Sequence, residues 1–120
     1  MPDASFPVEM ISGVPVVVTP GEVDITNADG LRTALLEAAG HGPGGFVVDM
    51  SRTQFCDTAG LHALMLAHKR AVAESGEIRL VIIGAAVLRI FAITGLDDVI
   101  PHFASLAEAL AATSGSTESS

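Results

Sequence analysis

The chain has 120 residues, 49% hydrophobic and 17% charged, enough length and apolar content for one globular domain that needs no metal or disulfide support. Fourteen acidic side chains against six basic ones leave a formal net charge of −8, which disfavours nucleic acid or an anionic membrane as partner; without Trp or Tyr there is also little to stack on bases. The single cysteine, Cys56, excludes an internal disulfide and a cysteine-rich metal site and points to a reducing, cytoplasmic setting.

Met1 to Ser5 reads as a short polar tail with neither a basic nor an apolar signal region. Val8 to Ile11, Ser12-Gly13 and Val14 to Thr19 predict a hairpin, with Pro15 placing its second strand at an edge or bulge. Pro20-Gly21 turns the chain, and Glu22-Val23 is expected to prolong that strand. Thr26, with Asp29 three residues on, predicts a capped helix whose face carries Leu31, Ala34, Leu35 and Ala38. Gly40, Gly42, Pro43, Gly44 and Gly45 end it.

Phe46-Val47-Val48 is a continuous apolar run, the pattern of a strand covered on both faces. A second helix is expected from about Thr58, with Leu61, Leu64, Met65, His68 and Val72 on one face, until Gly76 stops it. Leu80 to Ile83 predicts another buried strand. Ala85 to Thr94 predicts a third helix, with Val87, Leu88, Phe91 and Ala92 inward and Gly95 as its cap. Val99-Ile100 reads as a last short strand, and Ser105 as the cap of a final helix through Leu106, Ala109 and Leu110. Thr113 to Ser120 is a Ser/Thr/Gly segment without apolar anchors, expected to be a disordered tail.

The domain is thus residues 6–112, without internal repeat or linker. Strands alternating with helices from Phe46 onward imply parallel pairing, and the opening hairpin adds an antiparallel strand. The fold class is α/β, with a mixed sheet of four to five strands and about four helices packed on it. A membrane reading of Ile78 to Leu96 fails, because Arg79 and Arg89 leave an uncharged run of nine residues between them, short of the roughly 20 a spanning helix needs.

Asp57-Thr58, at the expected start of the second helix, is the leading site candidate. Either residue can cap the helix, and a hydroxyl at that position is also open to phosphorylation, where the helix dipole favours the added charge and Asp57 opposes it. Glu22 and Asp24 follow a turn and are placed to converge with Asp57 at one end of the sheet; their spacing does not define a catalytic or metal cluster. Cys56 is read as a small buried hydrophobe more readily than as a reactive thiol. His41, His62, His68 and His102 are scattered and make no zinc pair, and the glycine-rich loop lacks the Lys and Ser/Thr of a phosphate cradle.

Gly21-Glu22-Val23-Asp24, then Val47-Val48-Asp49-Met50-Ser51 leading to Asp57-Thr58-Ala59-Gly60-Leu61, resemble the STAS domain of bacterial anti-sigma factor antagonists. Ile78-Arg79-Leu80-Val81, Ile93-Thr94-Gly95-Leu96-Asp97 and Ser105 to Leu110 are similar too, so the resemblance spans about Val8 to Leu110. It implies a binding module without catalysis, cofactor or metal. The unmodified form would bind an anti-sigma factor that is also a serine/threonine kinase and so release a sigma factor. Phosphorylation of Thr58 would break the complex, and a phosphatase would reset it. Asp24, Asp57, Thr58, Ala59, Gly60 and Leu61 would form the partner-binding turn. Many members carry Ser-Ser or Ser-Ala after the aspartate; here Thr58 adds a stiffening β-methyl, and Ala59 leaves no second acceptor in the turn. A rival resemblance is to the small accessory STAS subunit of lipid-transport ABC ATPases, in which the threonine would pack at an interface. Nucleotide or small-ligand sensing has no support in the residues.

Overall fold

The computed structural model describes residues 6–41, 45–74 and 76–118, with side chains to residue 112. The N-terminal tail, residues 1–5, and Gly42, Pro43 and Gly44 of the expected helix stop lie outside the described residues.

The opening hairpin forms as the sequence predicts. β1 (Val8–Ile11) runs antiparallel to β2 (Val14–Val18), and Ser12 and Gly13 both take positive φ, 54° and 81°, the geometry of the two-residue turn that matches strand twist. Pro15 nevertheless lies in an interior strand, because β2 pairs on its other side with the parallel strand Phe46–Met50 of the five-stranded main sheet. The parallel register between β2 and β4 (Phe46–Met50) starts at Val16, so the missing N–H of Pro15 falls one residue before that ladder and costs it no rung.

Glu22-Val23 does not prolong β2. Thr19 donates the last rung to Asp49, Pro20 has no N–H to continue, and Glu22–Val23 becomes β3, paired in parallel with β5 (Phe55–Cys56) in a separate two-stranded sheet. Two buried threonines hold this departure. The Thr53 hydroxyl donates to the Pro20 carbonyl at 2.6 Å and lies 2.6 Å from the Thr19 hydroxyl, fastening the β2–β3 and β4–β5 links to each other.

β6 (Ile78–Ile82) and β7 (His102–Phe103) complete the main sheet, both parallel to β4. The last strand is not Val99-Ile100. A 3-10 turn over Leu96–Asp98 draws Ile100 into the core through its amide bond to the Leu96 carbonyl, and pairing begins where Pro101 accepts from the Leu80 amide.

The central strands are buried on both faces, as their unbroken apolar runs predict. Phe46, Val48 and Met50 join a core with α1 (Ala28–Ala39), α2 (Thr58–Ala73) and α3 (Ala85–Thr94), whereas Val47 faces α4 (Leu106–Glu118) with Val16, Val81 and Ala109. α1 buries Leu31, Ala34, Leu35 and Ala38 as expected. In α2 the inward stripe is Leu61, Ala63, Leu64, Ala67 and Ala71, and Val72 is exposed; small residues there let the helix approach its neighbours closely. α3 buries Val87 and Phe91, leaves Ala92 outward, and ends on Gly95 in the left-handed conformation. Ser105 caps α4 through the Glu108 amide, and the α4 backbone stays helical to Glu118, within the segment the sequence reads as tail.

Candidate functional site

β3 and β5 exist to aim two loops. Their parallel register, Val23 opposite Cys56, sends the chain out side by side at Asp24 and Asp57, beyond the carboxyl ends of the main strands. The Asp57 amide donates to the Val23 carbonyl at 3.0 Å and closes that pairing.

Asp57, and not Thr58, is the N-cap of α2. Its Oδ1 accepts the amides of Ala59 at 2.9 Å and Gly60 at 3.2 Å, and its Oδ2 accepts the Ile25 amide at 3.2 Å. One carboxylate therefore starts the helix and holds the loop that leads into α1. Relieved of capping, Thr58 stands as the first helical residue, exposed to solvent.

Asp24 is engaged differently from the expected capping box. Thr26 does not cap α1; its hydroxyl donates to Asp24 Oδ1 at 2.5 Å and its amide to the same oxygen at 2.9 Å, and these two bonds hold the Asp24 carboxyl below the usual carboxylate range. The N-cap position belongs to Asn27, whose side chain instead accepts from the Asp24 amide and donates to the Glu22 carbonyl. Glu22 is exposed, and among the described residues no group of His, Cys, Asp or Glu could hold a metal ion.

The remaining turn residues divide by burial. Gly60 is buried so tightly that a Cβ would stand 2.6 Å from Val23 Cγ1 and 2.8 Å from Cys56 Sγ. Leu61 is buried, and Ala59 half-buried. Cys56 is fully buried, and burial followed by the nearby Asp57 charge pushes its thiol up to about 12, making it the inert hydrophobe the sequence favours.

Sequence reasoning missed the apolar surroundings of Thr58. A groove of about 390 Å³ runs between the start of α2 and α3, lined by Phe55, Thr58, Leu61, Ile90, Ile93 and Thr94, with Cys56 and Asp57 completing its wall. Phe55 is 47% exposed and Ile93 75% exposed, large apolar side chains left in water. A second groove of about 330 Å³ lies between α1 and α2, with Arg32, His62 and Leu66 among its lining residues; it excludes Thr58. The sequence signal that could have shown the first groove is the composition of α3, where Arg89 is the only charged residue of ten.

The STAS domain family model matches residues 5–109. An anti-sigma-F factor antagonist of Mycobacterium tuberculosis, RsfB, is 29% identical over 104 residues, 87% of this chain and 84% of that one. The crystal structure of an anti-sigma factor antagonist from Mycobacterium paratuberculosis superimposes with a TM-score of 0.82 at 32% identity, covering 91% of this chain and 92% of that one. SpoIIAA of Bacillus in its unphosphorylated form shares the fold, with a TM-score of 0.77 at 22% identity over 92% of this chain and 97% of that one. The chain therefore belongs to the STAS domain family of anti-sigma factor antagonists. The two mycobacterial relatives are both named as antagonists of anti-sigma factors. Among the described residues no helix is long and apolar enough to cross a membrane.

Proposed function

We propose that this chain is a cytoplasmic anti-sigma factor antagonist controlled by phosphorylation of Thr58. The unmodified form binds an anti-sigma factor with serine/threonine kinase activity and thereby releases a sigma factor. The kinase then phosphorylates Thr58, the complex separates, and a phosphatase restores the starting state. Asp24, Asp57, Thr58, Ala59 and Leu61 form the partner-binding turn, with Gly60 holding its shape from within.

The observation that carries this reading is the division of labour at the start of α2. Asp57 does the capping, and the neighbouring Thr58 is exposed beside it. Phosphorylation adds a charge of about −1.5 to −2. The helix dipole tolerates that charge in the free protein. A partner docked over it would have to bury a dianion next to Asp57, at a cost on the order of 3 kcal/mol. That is about a hundredfold in dissociation constant, enough to exchange one partner for another. Among proteins of this fold, SpoIIAA has been solved in a phosphorylated form as well as an unphosphorylated one.

The test is to incubate the protein with ATP and the purified anti-sigma factor kinases of its source organism, locate any phosphate by mass spectrometry, and measure Kd for wild type, Thr58→Ala and Thr58→Glu. Phosphate on Thr58, tight binding by Thr58→Ala and a loss of about a hundredfold in Thr58→Glu support the cycle. Equal affinity of all three forms, or a transporter ATPase as the main partner, overturns it.

A further inference from the structure

Two grooves flank the start of α2, and they differ in chemistry. The one between α1 and α2 carries the Arg32–Asp29 ion pair and His62. The one between α2 and α3 is apolar, and among the described residues lining it Asp57 is the only charged one. Thr58 lines the second and not the first.

We propose that the α2–α3 groove, walled by Phe55, Ile90 and Ile93, receives an apolar side chain of the anti-sigma factor, with a basic residue of that partner beside it at the Asp57 end. This rests on the function proposed above and extends the partner surface from the Asp57–Leu61 turn onto β5 and α3.

Three observations fix the occupant. Thr58 itself lines the groove, so a ligand seated there is the one that added phosphate would expel. Its lining holds Ile93 at 75% exposure and Phe55 at 47%, apolar area that covering by an apolar group would remove from water. Its charge comes from Asp57 in the lining, with Asp24 on the adjoining loop that leaves β3. A cation on the partner complements both carboxylates. Phosphorylation would then act twice, placing a dianion on the rim of an apolar cavity and drawing the partner's cation out of register with its apolar anchor.

The experiment uses the kinase that binds wild type in the Kd measurement above. Ile93→Lys and Phe55→Ala should each weaken binding by about tenfold or more, the loss expected when an apolar anchor loses its pocket. Ile93→Val should retain affinity, and Leu66→Lys, in the α1–α2 groove, should stay within about twofold of wild type. Unchanged Tm for Ile93→Lys shows that the fold is intact. On adding the kinase, the methyl NMR signals of Ile90, Ile93 and Leu61 should shift, and affinity should fall with added salt as the ion pair is screened. Wild-type affinity in Ile93→Lys, or an equal loss in Leu66→Lys, overturns the groove while leaving the Thr58 cycle standing. Self-association of the free chain that Ile93→Lys abolishes would assign the groove to a second copy and overturn the proposal. Failure of every kinase to bind wild type would overturn both readings together.

Discussion

The Asp57 carboxylate accepts the Ile25 amide across 32 positions of sequence while its other oxygen caps α2. The helix start and the loop entering α1 are thereby one mechanical unit. Replacing Asp57 with Ala removes acceptors for three backbone N–H groups and should destabilise the fold by about 2 kcal/mol. Asp57→Asn keeps a cap-competent oxygen and should lose less than half of that. Urea denaturation with a common m-value checks both, and an Asp57→Ala variant as stable as wild type would refute the coupling.

Gly60 is required by distance and not by backbone freedom, since it lies within a helix. Gly60→Ala should gain a little helix propensity but drive its Cβ into Val23 Cγ1 and Cys56 Sγ, for a net loss of about 1–2 kcal/mol. Because β3 and β5 supply those contacts, Asp24 and Asp57 should move with them. Amide exchange at Asp57 and Ile25 should quicken in this variant; protection equal to wild type would show that the two strands do not brace the site.

Cys56 makes a prediction about pH. Its thiol pKa rises from 9.0 to about 12 on folding, so the folded state favours the protonated thiol. That stabilisation is complete below pH 9, where neither state ionises, and is lost as the unfolded thiol ionises between pH 9 and about 12. Lys69 is the only lysine and the chain has no tyrosine, so few other side chains titrate in that window. Stability should decline there with a slope approaching about 1.4 kcal/mol per pH unit. Folded protein at pH 8 should resist thiol alkylation, and rapid modification without unfolding would contradict the buried assignment.

Local chemistry was legible wherever one residue type decides the outcome. Ser12-Gly13 is a tight turn because Gly13 takes positive φ without a Cβ to oppose it, Gly95 ends α3 for the same reason, and Ser105 caps α4 with its own side chain. The apolar runs of the central strands announced burial on both faces, and the Asp57-Thr58-Ala59-Gly60-Leu61 turn announced a helix start with an exposed hydroxyl. These are short-range consequences of sterics and hydrogen bonding.

What the tertiary structure decided is which neighbour each polar group reached. Thr26 and Asn27 are both capable caps, yet both are drawn to Asp24 and Glu22 because the β3–β5 pairing holds that loop in place. Glu22-Val23 left β2 because Pro20 offers no amide and Thr53, remote in sequence, captures its carbonyl. The groove beside Thr58 joins residues of β5, α2 and α3, segments brought together only by packing. A chain's own pattern sets the backbone menu within a few residues. Surfaces built from three separate segments exist only after those segments pack, and it is on such a surface that Thr58 meets Phe55 and Ile93.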